Sequence, residues 1–177
     1  MFRIALVLAA LSLAAATTAS ARTTAQCSAA SLSTKLPTQK LSPATAAMRQ
    51  RIVNAAVACN YARLQQLGNG GQKLQFSYGG EKSASAYWRK LEAKGQKPLA
   101  TLVRILRLPV RRNEVGAYAW PSAYTMHPTK RDWDLLVRGG VLTRTQADNQ
   151  RLHGNVYYGY RAAIRANGDW QFFVSGD

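Results

Sequence analysis

The chain has 177 residues, with 24 Lys and Arg against 8 Asp and Glu, a formal charge of +16 at neutral pH and only two cysteines. The length suits one domain with its own core. The cysteine count, with no Cys-x-x-Cys and no Cys/His cluster, argues against a cysteine-built metal centre, and the charge directs attention to polyanionic surroundings.

The first residues carry one positive charge, Arg3, followed by the uncharged apolar run Ile4 to Ala16 and the small-residue step Ala19-Ser20-Ala21. This is the pattern of a secretory signal peptide over residues 1–21. The apolar run is short for a transmembrane helix, which needs about 20 residues. No later stretch is long and apolar enough to span, so the chain reads as exported, to the periplasm or beyond. In an oxidising compartment Cys27 and Cys59 favour a disulfide; the alternative is a buried free Cys59 beside a loose Cys27.

Residues 22–42 are rich in Ser, Thr, Ala and Gln and predict a flexible lead-in to a single α+β domain over residues 43–177. Ser42-Pro43 reads as an N-cap with proline at the first helical position. Met48, Ile52, Val53, Ala56 and Val57 then recur at helical spacing. Asn60 marks a break or a new cap before a second helix bearing Tyr61, Leu64 and Leu67, which ends in the glycines from Gly68 onward. Lys73 to Tyr78 alternates Leu74, Phe76 and Tyr78 with polar residues and predicts a strand. Ser83 caps a helix running to Lys94 with Gly95 as its stop. Pro98 starts another, with Leu99, Leu102, Val103 and Leu106 as its apolar stripe. Val115 to Trp120 predicts a strand closed by Pro121. Ser122 to Asp134 is the least regular stretch. Thr129 caps a helix carrying Trp133, Leu136 and Val137, and Thr143 with Gln146 fits a capping box for one more.

The chain closes on two apolar runs around Asn167-Gly168, a strong hairpin signal when both residues take positive φ. A two-residue turn sets Arg165 opposite Trp170, Ala163 opposite Phe172 and Arg161 opposite Val174, with Ile164 opposite Gln171 on the other face. Tyr158, Tyr160, Ile164 and Phe173 then face helices, and Arg161, Arg165 and Trp170 lie nearer solvent. The whole predicts N-terminal helices packed on a small antiparallel sheet closed by a C-terminal β-hairpin.

The pattern Tyr158-Gly159-Tyr160-Arg161-x-x-Ile164, then Gly168-x-Trp170-x-Phe172-Phe173-Val174-x-Gly176-Asp177, resembles the C-terminus of a group of small secreted bacterial proteins of uncharacterised function. Tyr87-Trp88-Arg89, Pro98-Leu99-x-x-Leu102 and Trp120-Pro121 resemble the middle section of the same group, and Ala55-Ala56 through Tyr61 and Leu64 its start. The resemblance spans residues 45–177 and implies one mature domain. It brings no activity and no catalytic residues, and the group carries an acidic residue where this chain has Asn60.

Serine-hydrolase, zinc-protease, P-loop and dinucleotide motifs are absent from the sequence. The densest ionisable cluster is His127, Lys130, Arg131, Asp132 and Asp134. As a metal site or oriented base it competes with a plainer role, in which Asp132 supports the positive helix N-terminus beside Thr129. No metal or cofactor is expected. Three readings of function follow. The leading one is a non-enzymatic domain that binds an anionic envelope polymer or an acidic protein through Arg104, Arg107, Arg111 and Arg112, then Arg161, Arg165 and Trp170. The bland counterpart is that scattered charge only keeps an exported protein soluble. The second reading is metal-independent RNA cleavage, with His127 and His153 as acid and base and Lys130 stabilising the phosphorane. The third is an interaction subunit pairing through an exposed sheet edge.

Overall fold

The computed structural model describes residues 27–176, so the expected signal peptide and Asp177 lie outside the described residues. Helices α1 (Pro43–Val57), α2 (Tyr61–Asn69), α3 (Ala84–Ala93) and α4 (Pro98–Arg107) come first. Strands β1 (Arg111–Arg112) and β2 (Tyr118–Trp120) follow, then helices α5 (Lys130–Arg138) and α6 (Arg144–Leu152), then strands β3 (Arg161–Ile164) and β4 (Trp170–Val174). The sheet is wholly antiparallel in the order β1-β2-β3-β4, which makes the domain α+β.

The helix boundaries follow local chemistry. Ser42 Oγ accepts from the Thr45 N–H ahead of Pro43, Asn60 Oδ1 accepts from the Arg63 N–H, and Ser83 Oγ accepts from the Ala86 N–H. Thr129 with Asp132 and Thr143 with Gln146 form full capping boxes. Such caps satisfy N–H groups that the first helical turn leaves without partners. One face of the sheet packs against α1 and α4. Trp88, Trp120, Trp170, Phe173, Ile52, Leu102 and Ile105 fill that interface and are almost wholly buried. Trp88 stacks on Trp170 with ring centroids 5.9 Å apart and meets Phe173 at 5.8 Å.

The closing hairpin departs from the expected register at its turn end, in two ways. Its turn is a three-residue loop: the Gly168 N–H donates to the Arg165 carbonyl, the Arg165 N–H donates to the Asp169 carbonyl, and only Gly168 takes positive φ, at 94°. Asn167 therefore occupies the second turn position with negative φ, and the type I′ turn does not form. Docking on α1 accounts for the choice. Ser42 Oγ donates to the Ala166 carbonyl at 2.6 Å and Thr45 Oγ1 to the Arg165 carbonyl at 2.7 Å. A Cβ on Gly168 would sit 3.1 Å from the Ala44 carbonyl oxygen.

The second departure is a bulge. Arg161 faces Val174 and Ala163 faces Phe172 as expected, but Ile164 faces Trp170, leaving Gln171 as the extra residue. A bulge turns the side chains beyond it to the opposite face. Trp170 thus leaves the arginine face and enters the core, at 2% exposure.

The segment from Lys73 to Tyr78 is extended but not a strand. It meets β4 at a single parallel bridge, where the Gln75 N–H donates to the Gln171 carbonyl at 3.0 Å and the Phe173 N–H to the Gln75 carbonyl at 2.9 Å. The bridge falls at the bulge, where the irregular spacing of β4's polar groups admits one residue rather than a ladder. The strand expected from Val115 begins only at Tyr118. Asn113 closes a turn by accepting from the Gly116 and Ala117 N–H groups, which leaves Val115 at the turn tip.

Residues 27–42, expected as a flexible lead-in, are held against the domain. Cys27 and Cys59 are disulfide-bonded, and in the chain-entropy model closing such a loop stabilises by about 3–4 kcal/mol. Ser28 donates through both its N–H and its hydroxyl to Glu92. Gln39 donates to the Leu108 carbonyl and accepts from Trp120 Nε1. The composition is poor in large apolar residues, but Leu32, Leu36 and Leu41 supply enough to pack on the core.

Because Trp170 is stacked core rather than surface, Trp170→Ala lowers unfolding free energy by about 3–5 kcal/mol in urea melts. A loss under about 1 kcal/mol, the ordinary result for an exposed residue, contradicts the register described.

Candidate functional site

The arginines singled out by the sequence do not form one surface. Arg104 Nη1 donates to the Gly140 carbonyl at 2.9 Å and Arg107 Nη2 to the Lys35 carbonyl at 3.1 Å. Both sit in the last turn of α4 and tie it to neighbouring segments, so they act first as backbone braces. Arg49, which the charge pattern did not mark, does the same from the interior. It is 4% exposed and donates twice to the Leu106 carbonyl and once to the Pro37 carbonyl. Burial lowers its guanidinium pKa to about 10, and the Leu106 carbonyl, at the negative end of α4, faces the charge.

Arg161, Arg165 and Trp170 are likewise drawn apart. Arg161 is 5% exposed, lies 5.1 Å over the Tyr124 ring and donates to the Tyr78 hydroxyl at 3.1 Å. Arg165 is half-buried; with the Gln171 amide turned to present its oxygen, Arg165 donates to it from Nε and Nη2. The expected Arg165–Trp170 contact gives way because the bulge carries Trp170 to the far face. The remaining outer face has a floor of Ala117, Ala119 and Ala163, covered by Tyr124 and Phe172, whose rings meet edge-on at 6.1 Å.

The ionisable cluster is likewise engaged in structure. Lys130 pairs with Asp134 at 3.0 Å, and Arg144 pairs with the same carboxylate at 2.8 Å. Asp132 accepts from Thr129 and from Ser122 Oγ. Partial burial raises its pKa, but these hydrogen bonds outweigh that and leave it lowered. This is the capping role weighed from the sequence, extended by Ser122, which anchors the preceding loop to α5. His127 and His153 are both exposed, and His153 Nδ1 lies 2.8 Å from the Asn149 carbonyl. Their loops are tied by Asn155, which donates to the Pro128 carbonyl and accepts from Trp133 Nε1. Among the described residues no group of three or more His, Cys, Asp and Glu is arranged to hold a metal ion.

One cleft does gather exposed functional groups. It lies between the β1–β2 turn and the root of the α5–α6 excursion, with a volume of about 420 Å³. Arg111, Arg112, Glu114 and Val115 form one wall; Tyr124, Met126 and Tyr157 form the other. The excursion leaves the sheet after Trp120 and returns at Arg161, so its two ends necessarily meet beside β2 and β3. A small separate core holds it there, built on Leu108, Trp133, Leu136, Ala147 and Tyr157. Tyr157 donates its hydroxyl to the Tyr160 carbonyl at 2.8 Å, and burial pushes its pKa up. Arg112 stacks 3.8 Å over the Tyr118 ring, donates to the Tyr118 hydroxyl at 2.7 Å and to the Gly116 carbonyl, and is thereby pre-positioned at the rim. Arg111, on the exposed edge strand, is the freer of the two. Tyr124, Met126 and Val115 were not singled out from the sequence. The available signal was weak: an irregular segment between Pro121 and Pro128, and a valine followed by glycine.

The Asp134 pairs give a direct check on this electrostatic account. They hold the Asp134 carboxyl down from 3.8 to about 2. A depressed folded value means that the contribution is complete above the ordinary Asp range and is lost as pH falls through the folded pKa. A carbon-detected NMR titration should place the Asp134 midpoint near 2, and Arg144→Gln should move it up toward 3.8. A midpoint near 3.8 in the unsubstituted chain contradicts the pairing.

Comparison of the chain with protein-family models, with curated proteins and with solved structures found no match.

Proposed function

We propose that this chain is an exported, non-enzymatic domain that binds an anionic envelope component or an acidic partner, with the Arg111/Arg112 cleft as its contact surface. The observation that carries the reading is the uneven use of charge. The chain has 24 basic residues and 8 acidic ones. Half of the acidic ones serve the fold: Glu92 holds Ser28, Asp132 caps α5, and Asp134 and Asp148 make the three ion pairs found among the described residues; of the rest, Glu114 lies at the cleft itself. Few carboxylates are left to neutralise the exposed basic side chains, so an external polyanion is their natural counter-charge. The signal-peptide pattern, the resemblance to secreted proteins and the Cys27–Cys59 bond are all in keeping with export.

The other two readings gain less support. Nothing links His127 to His153 beyond neighbouring loops, and Lys130 is committed to Asp134. For edge pairing, β1 is two arginines long, and β4's outer edge is partly occupied by Gln75. Short, charged or covered edges discourage the addition of a strand.

Binding to polyphosphate or a sulfated polysaccharide is expected at low ionic strength and to weaken steeply with added salt, because each neutralised phosphate or sulfate releases counterions. Arg111→Gln should reduce the slope of log affinity against log salt by about one. Binding that ignores salt, or none at low ionic strength, overturns the reading.

A further inference from the structure

Five large apolar residues are more than one-third exposed among the described residues, and two of them, Val115 at 76% and Met126 at 69%, line the same cleft. They reach it from different loops. Val115 sits at the tip of the β1–β2 turn, and Met126 in the loop that follows β2. The backbone leading to each tip is hydrogen-bonded. The turn is closed by the Asn113 N–H to the Ala117 carbonyl at 2.9 Å and by the Ala117 N–H to Asn113 Oδ1 at 2.8 Å. Gly116 supplies the positive φ of 75° that the turn requires. The other loop is fixed by the Ser122 N–H to the Pro109 carbonyl, the Tyr124 N–H to the Pro121 carbonyl, and the Ser122 to Asp132 bond.

Residues on backbone already held by hydrogen bonds lose little further backbone freedom on burial, and their apolar surface stays in water until a partner covers it. The basic residues around them define that partner further. Arg111 and Arg112 line the wall that carries Val115 and outnumber the one carboxylate there, Glu114. The exposed Arg131 lies at the start of α5, just beyond the Met126 loop. A soluble polyanion engages the arginines but leaves Val115 and Met126 in water. An anionic lipid surface engages both, with headgroups at the guanidinium level and the acyl boundary just beyond.

We infer that the tips carrying Val115 and Met126 dock on an anionic lipid surface, with Arg111 and Arg112 held at the level of the headgroups. This rests on the anion-binding reading above and narrows it to one source of negative charge. No helix among the described residues is long and apolar enough to cross a membrane, so the contact proposed is peripheral.

The test uses the exported chain, vesicles of phosphatidylcholine with and without phosphatidylglycerol, and soluble polyphosphate as a parallel ligand. Sedimentation should show binding to the phosphatidylglycerol vesicles and little to pure phosphatidylcholine. Val115→Ser and Met126→Ser should each weaken vesicle binding by about tenfold, as expected for withholding a buried apolar side chain, and leave polyphosphate binding unchanged. Val115→Thr with Met126→Gln, closer in volume, repeats the comparison, with near-UV circular dichroism confirming the fold. Vesicle binding that both variant pairs leave intact overturns the inference, and so does binding to polyphosphate without binding to vesicles; in either case the broader reading stands. Failure to bind either ligand at low salt overturns both.

Discussion

The seating of Trp170 against Trp88 organises the rest of the sheet. Their rings lie 5.9 Å apart at 27°, inside a cluster completed by Phe173 and by Phe76, which approaches Trp88 edge-on. Reaching that position requires an extra residue in β4, because an unbroken ladder points Trp170 away from the helices. Gln171 is that residue, and its carbonyl is also the one that receives Gln75. The bulge therefore sets the core and the fate of the sheet's far edge together. It also removes the aromatic partner from the arginines on the opposite face, which close over alanines and Tyr124. An interaction surface on that hairpin face is thereby largely used up, whereas the cleft where the α5–α6 excursion leaves and rejoins the sheet sets exposed Val115 and Met126 beside Arg111 and Arg112.

A second theme is the pairing of guanidinium groups with carbonyls rather than carboxylates. Arg49, Arg104 and Arg107 all project from helices and donate to backbone oxygens of other segments. In a chain with so few acidic residues this is the available way to hold long cationic side chains in place. A carbonyl at a helix C-terminus carries partial negative charge, so the Leu106 oxygen suits Arg49 well. Such bonds stabilise without cancelling formal charge. A protein braced in this way keeps its positive field, and only α5 and α6 carry ion pairs among the described residues. Charge retained during folding remains available for a partner.

How much of this was legible in the sequence depended on whether the signal was local. Ser42-Pro43, Asn60, Ser83, Thr129 and Thr143 were readable as caps because a cap is satisfied within three residues. The helical stripes of α1 and α4 were readable from periodicity, and the disulfide was favoured by an even cysteine count. What failed was long-range. Asn167-Gly168 suggested a two-residue turn, but contacts with Ser42 and Thr45, more than a hundred residues earlier in the chain, selected a three-residue loop. The bulge at Gln171 leaves no local trace, so the register, and with it the place of Trp170, was out of reach. Residues 27–42 looked flexible by composition, yet Ser28, Gln39 and three leucines find partners supplied by α3, α4 and β2. The site was the least legible part. Arg111 and Arg112 stood out by density, but Val115 and Met126 matter only because the excursion brings their loops to one cleft.

The central claim is that partner binding belongs to this cleft and not to the closing hairpin. The most direct measurement is an amide NMR map of the chain titrated with polyphosphate at low salt, in which the segments around Arg111 to Gly116 and Tyr124 to His127 should shift first and most. Shifts concentrated instead on Arg161 to Val174, with the cleft unmoved, would contradict the account.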